Sequence, residues 1–149
     1  MRVYKFGGAS VKDAEGVKNL VTVLKTTGHN NTLVVVSAMG KTTNAMELVI
    51  KNYFENKAEL QSSIYEVIKY HNEILLDLFD NERHNVYGAL KALFDELTMF
   101  FKSNKSPDYN YVYDQTIGFA ELISTTIISH YLNEIGLKNN WIDVREFIK

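Results

Sequence analysis

Two short runs of β-branched and aromatic residues, Arg2–Phe6 and Thr32–Ser37, bracket a stretch in which Val17, Leu20, Val21 and Leu24 recur at helical spacing. Strand, helix and strand within about 35 residues form a βαβ unit with a right-handed crossover. That succession commits the chain to an α/β architecture, because strands joined through a helix run parallel. The second run, Thr32-Leu33-Val34-Val35-Val36-Ser37, is apolar on both faces, which predicts helices covering both sides of the sheet. Asp13 or Ser10 is placed to cap the first helix, which ends near Gly28.

Each strand leads into a loop of small residues. Lys5 stands near the carboxyl end of the first strand and is followed by Gly7, Gly8, Ala9 and Ser10. A glycine turn between strand and helix lets backbone N–H groups converge on an anion, and glycine removes the Cβ atoms that would keep a phosphate away. Lys5 adds a positive charge beside them. The second loop runs from Ser37 to Asn44, and the Asn44/Glu47 spacing predicts a helix from Ala45 that buries Met46, Val49, Ile50 and Phe54. Both loops fall on the carboxyl edge of the sheet, where α/β proteins bind ligands, so together they form one candidate site.

The rest of the chain reads as helix. One stripe includes Leu60, Ile64, Val67, Ile68, Leu75, Leu78 and Phe79; another includes Val86, Leu90, Leu93, Phe94, Leu97, Phe100 and Phe101. The break between them at Asp80-Asn81-Glu82 predicts an antiparallel helical pair covering the sheet. A polar linker, Ser103 to Asn110, precedes one long helical run from Tyr111 to Ile135, stopped by Gly136. Trp141-Ile142-Asp143-Val144 reads as a third strand. No repeat or low-complexity segment interrupts this order.

Composition narrows the function classes. With 149 residues, 46% of them hydrophobic, the chain can bury a substantial core. A net charge of −2 with no basic stripe argues against nucleic-acid binding. Without cysteine there is no disulfide or thiolate chemistry. Neither a signal peptide nor a bilayer-spanning run is present, so a cytoplasmic protein without membrane attachment is expected, and the Asn-x-Ser/Thr triplets at Asn30 and Asn104 carry no glycosylation meaning. His29, His71, His84 and His130 lack metal-ligand spacing and read as surface or helix residues.

Each chemical candidate has a plainer reading. Lys5 can be a strand-end lysine before an ordinary glycine turn. Gly40-Lys41-Thr42 after a strand invites a P-loop, but that motif needs a glycine where Val35 stands. Glu121, amid Ile117, Phe119, Ala120, Leu122 and Ile123, either turns to solvent or serves a ligand.

Taken together, four segments resemble the aspartokinases of the amino acid kinase family. Lys5-Phe6-Gly7-Gly8-Ala9-Ser10-Val11 is similar to their Lys-Phe-Gly-Gly-Thr-Ser-Val opening, and Val34 through Asn44 to their valine-rich strand and Ser-Ala…Thr-Asn loop. Phe119-Ala120-Glu121-Leu122-Ile123-Ser124-Thr125 resembles a Gly-Glu-Leu-x-Ser helix start, and Trp141-Ile142-Asp143-Val144-Arg145 a later Asp-Ala/Val-Arg strand. Ala9 replaces the usual threonine and Ala120 the usual glycine; neither change removes a charge.

The resemblance implies an amino acid kinase (carbamate kinase-like) fold, with residues 1–149 forming the amino-terminal lobe of the catalytic domain: a parallel sheet core with a helical layer. It implies transfer of the ATP γ-phosphoryl group to the β-carboxylate of L-aspartate, with Mg2+ arriving on ATP rather than in a protein cage. Lys5 would be catalytic; Gly7, Gly8 and Ser10 would bind phosphate; Ser37, Thr43 and Glu121 would hold aspartate. The nucleotide-binding lobe and regulatory ACT domains of such an enzyme lie outside this sequence. The chain alone is therefore expected to be inactive, with an uncovered sheet edge that invites a homodimer. A non-catalytic binding module retaining this lobe and a P-loop-like NTPase are the alternatives.

Overall fold

The computed structural model describes residues 1–147. Strand β1 (Arg2–Phe6) pairs in parallel with β2 (Thr32–Val36), Arg2 opposite Thr32 and Phe6 opposite Val36. Helix α1 (Ala14–Thr27) makes the crossover, completing the expected βαβ unit. Asp13 is the cap: its carboxylate accepts from the Gly16 N–H at 2.9 Å. At the other end Gly28, with φ of 92°, takes the left-handed conformation that lets the chain leave the helix.

Five helices follow: α2 (Thr42–Glu55), α3 (Lys57–Leu78), α4 (Asn85–Ser103), α5 (Tyr109–Thr116) and α6 (Phe119–Glu134). Their apolar stripes converge with α1 on one core, in which Leu20, Met46, Ile50, Leu75, Leu90, Leu97, Ile123 and Ile127 are fully buried. No helix among the described residues is long and apolar enough to cross a membrane. The expected parallel sheet with a helical layer is present.

Five expectations change. Helix α2 begins at Thr42 rather than Ala45, because the Thr42 hydroxyl folds back onto the Met39 carbonyl at 2.6 Å and starts the turn early. The α3 and α4 stripes do not pair chiefly with each other; α3 packs mainly on α2 and α4 on α6. The run expected as one helix from Tyr111 to Ile135 breaks at Ile117–Gly118 into α5 and α6, and Asp108 starts α5 by accepting from Asn110 and Tyr111 N–H groups. Helix α6 does stop at Gly136, where Leu137 N–H bonds the Leu132 carbonyl and Gly136 N–H that of Asn133.

Residues Trp141–Val144 form no strand. Asp143 instead accepts from the Arg145 backbone and holds its guanidinium at 2.6 Å, nucleating a 3-10 turn at Val144–Glu146. These local bonds replace a sheet ladder. Finally, helices cover only one face of the two-stranded sheet. Tyr4, Phe6, Val34 and Val36 face them, whereas Val3, Leu33 and Val35 remain 59%, 42% and 45% exposed.

Candidate functional site

The glycine turn after β1 and the loop after β2 are hydrogen-bonded to each other. The ladder continues past the strands as Ser37 N–H donates to the Phe6 carbonyl at 3.0 Å, and Gly40 N–H donates to the Gly8 carbonyl at 3.0 Å. A Cβ on Gly8 would lie 2.6 Å from the Ala38 carbonyl oxygen, so this position admits glycine alone without displacing the second loop. Gly40 adopts φ of 56°, the conformation that turns the chain back toward Gly8. The two loops are thus one structural unit at the carboxyl edge of the sheet.

Within that unit, Gly8–Val11 form a single 3-10 turn whose Ser10 N–H bonds the Gly7 carbonyl at 2.9 Å. Among the described residues, the N–H groups of Gly7, Gly8 and Ala9 have no protein acceptor. Unpaired N–H groups at the start of a helical turn are free to donate to a ligand. A Cβ on Gly7 would meet nothing within 4 Å, so this glycine, unlike Gly8, is not required by packing. Lys5 lies two residues before Gly7, exposed, on the sheet face that helices leave bare. Ser10 is likewise exposed.

The second loop is held from behind. Ser124, fully buried on α6, donates its hydroxyl to the Ser37 carbonyl at 2.8 Å. This bond sets the second turn of α6 against the end of β2, with Glu121 one turn before Ser124. Glu121 is exposed, and its carboxylate has no hydrogen-bond partner among the described residues. Thr43, half-buried, occupies the second position of α2, and Lys41 is exposed where α2 begins. Val35 lies inside β2, which leaves no room for a P-loop around Lys41.

Three residues that support the loops escaped the sequence reading. Ser124 is one. Tyr70 on α3 donates its hydroxyl to the Lys12 carbonyl. His71, read as a surface or helix residue, is a helix residue with no exposure: its Nδ1 lies 2.7 Å from the Val67 carbonyl and its Nε2 3.3 Å from the Thr42 hydroxyl. Burial lowers the His71 pKa from 6.5 to about 4, against a smaller opposing effect of the Val67 carbonyl. His84 serves elsewhere, capping α4 and lying 3.2 Å from Glu134.

Two cavities lie away from the loops. One, of about 310 Å³, is lined by Met1, Arg2, Gly28, Asn30 and Asn31. The other, of about 500 Å³, runs along β2 to Trp141 and Ile142. Neither touches the unsatisfied amides.

Comparison with known proteins bears on the family and the fold. The model of the amino acid kinase family matches residues 1–149. The chain is 32% identical to aspartokinase 1, chloroplastic, of Arabidopsis thaliana, over 97% of this chain and 25% of that protein. It is 27% identical to the bifunctional aspartokinase/homoserine dehydrogenase 2, chloroplastic, of the same plant, over 98% of this chain and 16% of that one. The fold superposes on Escherichia coli aspartokinase III in complex with aspartate and ADP with a TM-score of 0.80 at 24% identity, covering 97% of this chain and 31% of that one. The chain spans a quarter or less of the length of these two curated relatives.

Proposed function

The chain belongs to the amino acid kinase family, and on that premise we propose that it supplies the phosphate-binding and acceptor-binding portion of an aspartate kinase catalytic domain. The observation that carries this reading is the pair of interlocked loops with three unsatisfied amides at their junction, buttressed by Ser124 of α6. Family likeness to aspartokinases supplies the substrate, and the complex of aspartokinase III with aspartate and ADP is consistent with it.

In the proposed reaction one oxygen of the aspartate β-carboxylate attacks the γ-phosphorus of ATP. The bond from that phosphorus to the β,γ-bridging oxygen breaks, and its electron pair leaves with ADP. The carboxylate is already ionised, so no proton has to be removed. Catalysis then depends on positioning and on neutralising the oxygens of the transferring group. Lys5 supplies the cation, and the Gly7 and Gly8 amides donate to the same oxygens, with Ser10 beside them. Ser37 and Thr43 line the acceptor pocket, and Glu121 pairs with the α-ammonium of aspartate. Its exposed carboxylate is solvated until that partner arrives, which avoids an unpaired buried charge. Mg2+ would arrive on the ATP phosphates and offset part of their charge.

The test uses the polypeptide that carries the complete catalytic domain, with aspartyl phosphate trapped by hydroxylamine. Lys5→Met should lower turnover by about 100- to 1000-fold while leaving aspartate affinity nearly intact. An unchanged turnover number would refute the assignment. Glu121→Ala should mainly raise the KM for aspartate, and an unaltered KM would remove Glu121 from the site.

A further inference from the structure

Helix α3 lies behind both loops and sends two consecutive side chains into them. The Tyr70 hydroxyl donates to the carbonyl of Lys12, in the connection between the 3-10 turn and α1. It also lies 2.5 Å from the point a Cβ on Gly40 would occupy. Gly40 N–H in turn donates to Gly8, so one phenol touches both segments that frame the free amides. Beside it, His71 meets the Tyr70 ring edge-on at 5.0 Å and reaches the Thr42 hydroxyl, which holds the Met39 carbonyl. Among the described residues, Tyr70 is the only side chain of another element hydrogen-bonded to Gly7–Lys12.

Amides aimed at an anion are effective only when their direction is set before the ligand arrives; otherwise binding must order them. Glycine-rich loops have the most freedom to lose. The Tyr70 side chain has few rotatable bonds, and its half-buried ring is held by α3. Burial, and after it the charge of Asp13, push the Tyr70 phenol above its ordinary value of 10.0, so it stays protonated and remains a donor.

We propose that Tyr70 is a positioning residue of the phosphate site: its hydroxyl holds the Lys12 carbonyl and packs against the Gly40 turn, and thereby fixes the direction of the Gly7, Gly8 and Ala9 N–H groups. The inference rests on the phosphate-binding reading above and adds to it a residue that touches neither substrate. Its ring and its hydroxyl have separable roles. The ring packs, whereas the hydroxyl aligns.

The experiment is an NMR titration of the chain with inorganic tripolyphosphate, following the Gly7, Gly8 and Ala9 amides in wild type, Lys5→Met and Tyr70→Phe. Wild type should bind, Lys5→Met should weaken binding, and Tyr70→Phe should weaken it about tenfold, the effect of one lost hydrogen bond. Amide hydrogen exchange provides a second measurement that global destabilisation would not mimic. In Tyr70→Phe the Gly40 amide should exchange about tenfold faster while the core amide of Leu75 is unchanged. Wild-type affinity and wild-type Gly40 exchange in Tyr70→Phe, with Lys5→Met still weakened, would overturn the positioning role and leave the phosphate site standing. No shift of these amides in wild type would overturn the phosphate site itself.

Discussion

Gly7 and Gly8 are adjacent and alike in sequence, yet the structure predicts opposite responses to a single added methyl group. At Gly8 the new Cβ would fall 2.6 Å from the Ala38 carbonyl oxygen and 3.1 Å from that of Gly40. Both are backbone atoms of the second loop, so no side chain can swing aside; the loop itself must retreat. Such overpacking costs about 1–3 kcal/mol. Retreat also strains the Gly40–Gly8 hydrogen bond, whose loss adds about 1 kcal/mol. At Gly7 the backbone is extended, with φ of −76° and ψ of 165°, and a Cβ meets nothing within 4 Å. Alanine there is free of strain and narrows the unfolded ensemble, a gain of about 0.4–1 kcal/mol. The two variants should therefore differ by about 3 kcal/mol, which for a chain of this size is a gap of about 6–12 °C in melting temperature. Thermal unfolding followed by circular dichroism, with urea midpoints as a check, measures it. Equal melting temperatures for Gly7→Ala and Gly8→Ala would show that the loops do not interlock as described. Tripolyphosphate binding separates the positions again: Gly7→Ala should lose affinity without losing stability, because a Cβ beside the amides keeps a phosphate at a greater distance.

Other consequences follow from the same contacts. His71 has a folded pKa of about 4 against 6.5 in the unfolded chain, so the unfolded state takes up the proton first. The stability is present above pH 6.5 and is lost as pH falls toward 4, by about 3 kcal/mol at most; urea midpoints across this window should slope in wild type and flatten in His71→Gln, and an identical slope in both would refute the assignment. Gly16→Ala, ordinarily favourable in a helix, should destabilise the chain, because its Cβ would lie 2.5 Å from the Ser10 carbonyl oxygen; a rise in melting temperature would contradict the packing of the 3-10 turn on α1. Ser124→Ala leaves the Ser37 carbonyl without its buried donor and should cost about 1–3 kcal/mol, measured as a drop in the urea midpoint, and an unchanged midpoint would mean that α6 does not anchor the loop.

The βαβ unit, its Asp13 cap and the Gly28 and Gly136 helix stops were readable from residue order, since each depends on near neighbours. What the chain order concealed was competition between equally local choices. Trp141–Val144 has strand-like residues, but Asp143 and Arg145 satisfy each other two positions apart and close a turn first. Likewise, the stripe from Tyr111 to Ile135 keeps helical spacing across Gly118, so periodicity could not show the break. The exposed Val3, Leu33 and Val35 mark a different limit. Their apolar pattern specifies a covered sheet face, as parallel sheets require, and the described residues supply no cover for it. Lys5 lies on that face, among residues whose hydrophobicity is unspent.

The site divides in the same way. Its loops were visible because small residues after a strand have few other uses, whereas the side chains that hold them come from far along the chain: Tyr70 from 58 positions after Lys12, and Ser124 from 87 after Ser37. Even so, a signal for the polar supports was present. Leu60, Ile64, Val67, His71, Ile74 and Leu78 follow one another at alternating four- and three-residue steps, the buried face of α3. Histidine in that series must be buried, and a buried imidazole must find partners, here the Val67 carbonyl and the Thr42 hydroxyl. Ser124 occupies a comparable place on α6, beside Ile123 and one turn before Ile127 and Ile128. A polar side chain embedded in an apolar stripe must find a partner, either in its own helix, as Ser63 and Thr116 do, or far along the chain, as His71 and Ser124 do. The long-range bonds of His71 and Ser124 both end on the loop that closes over Gly8.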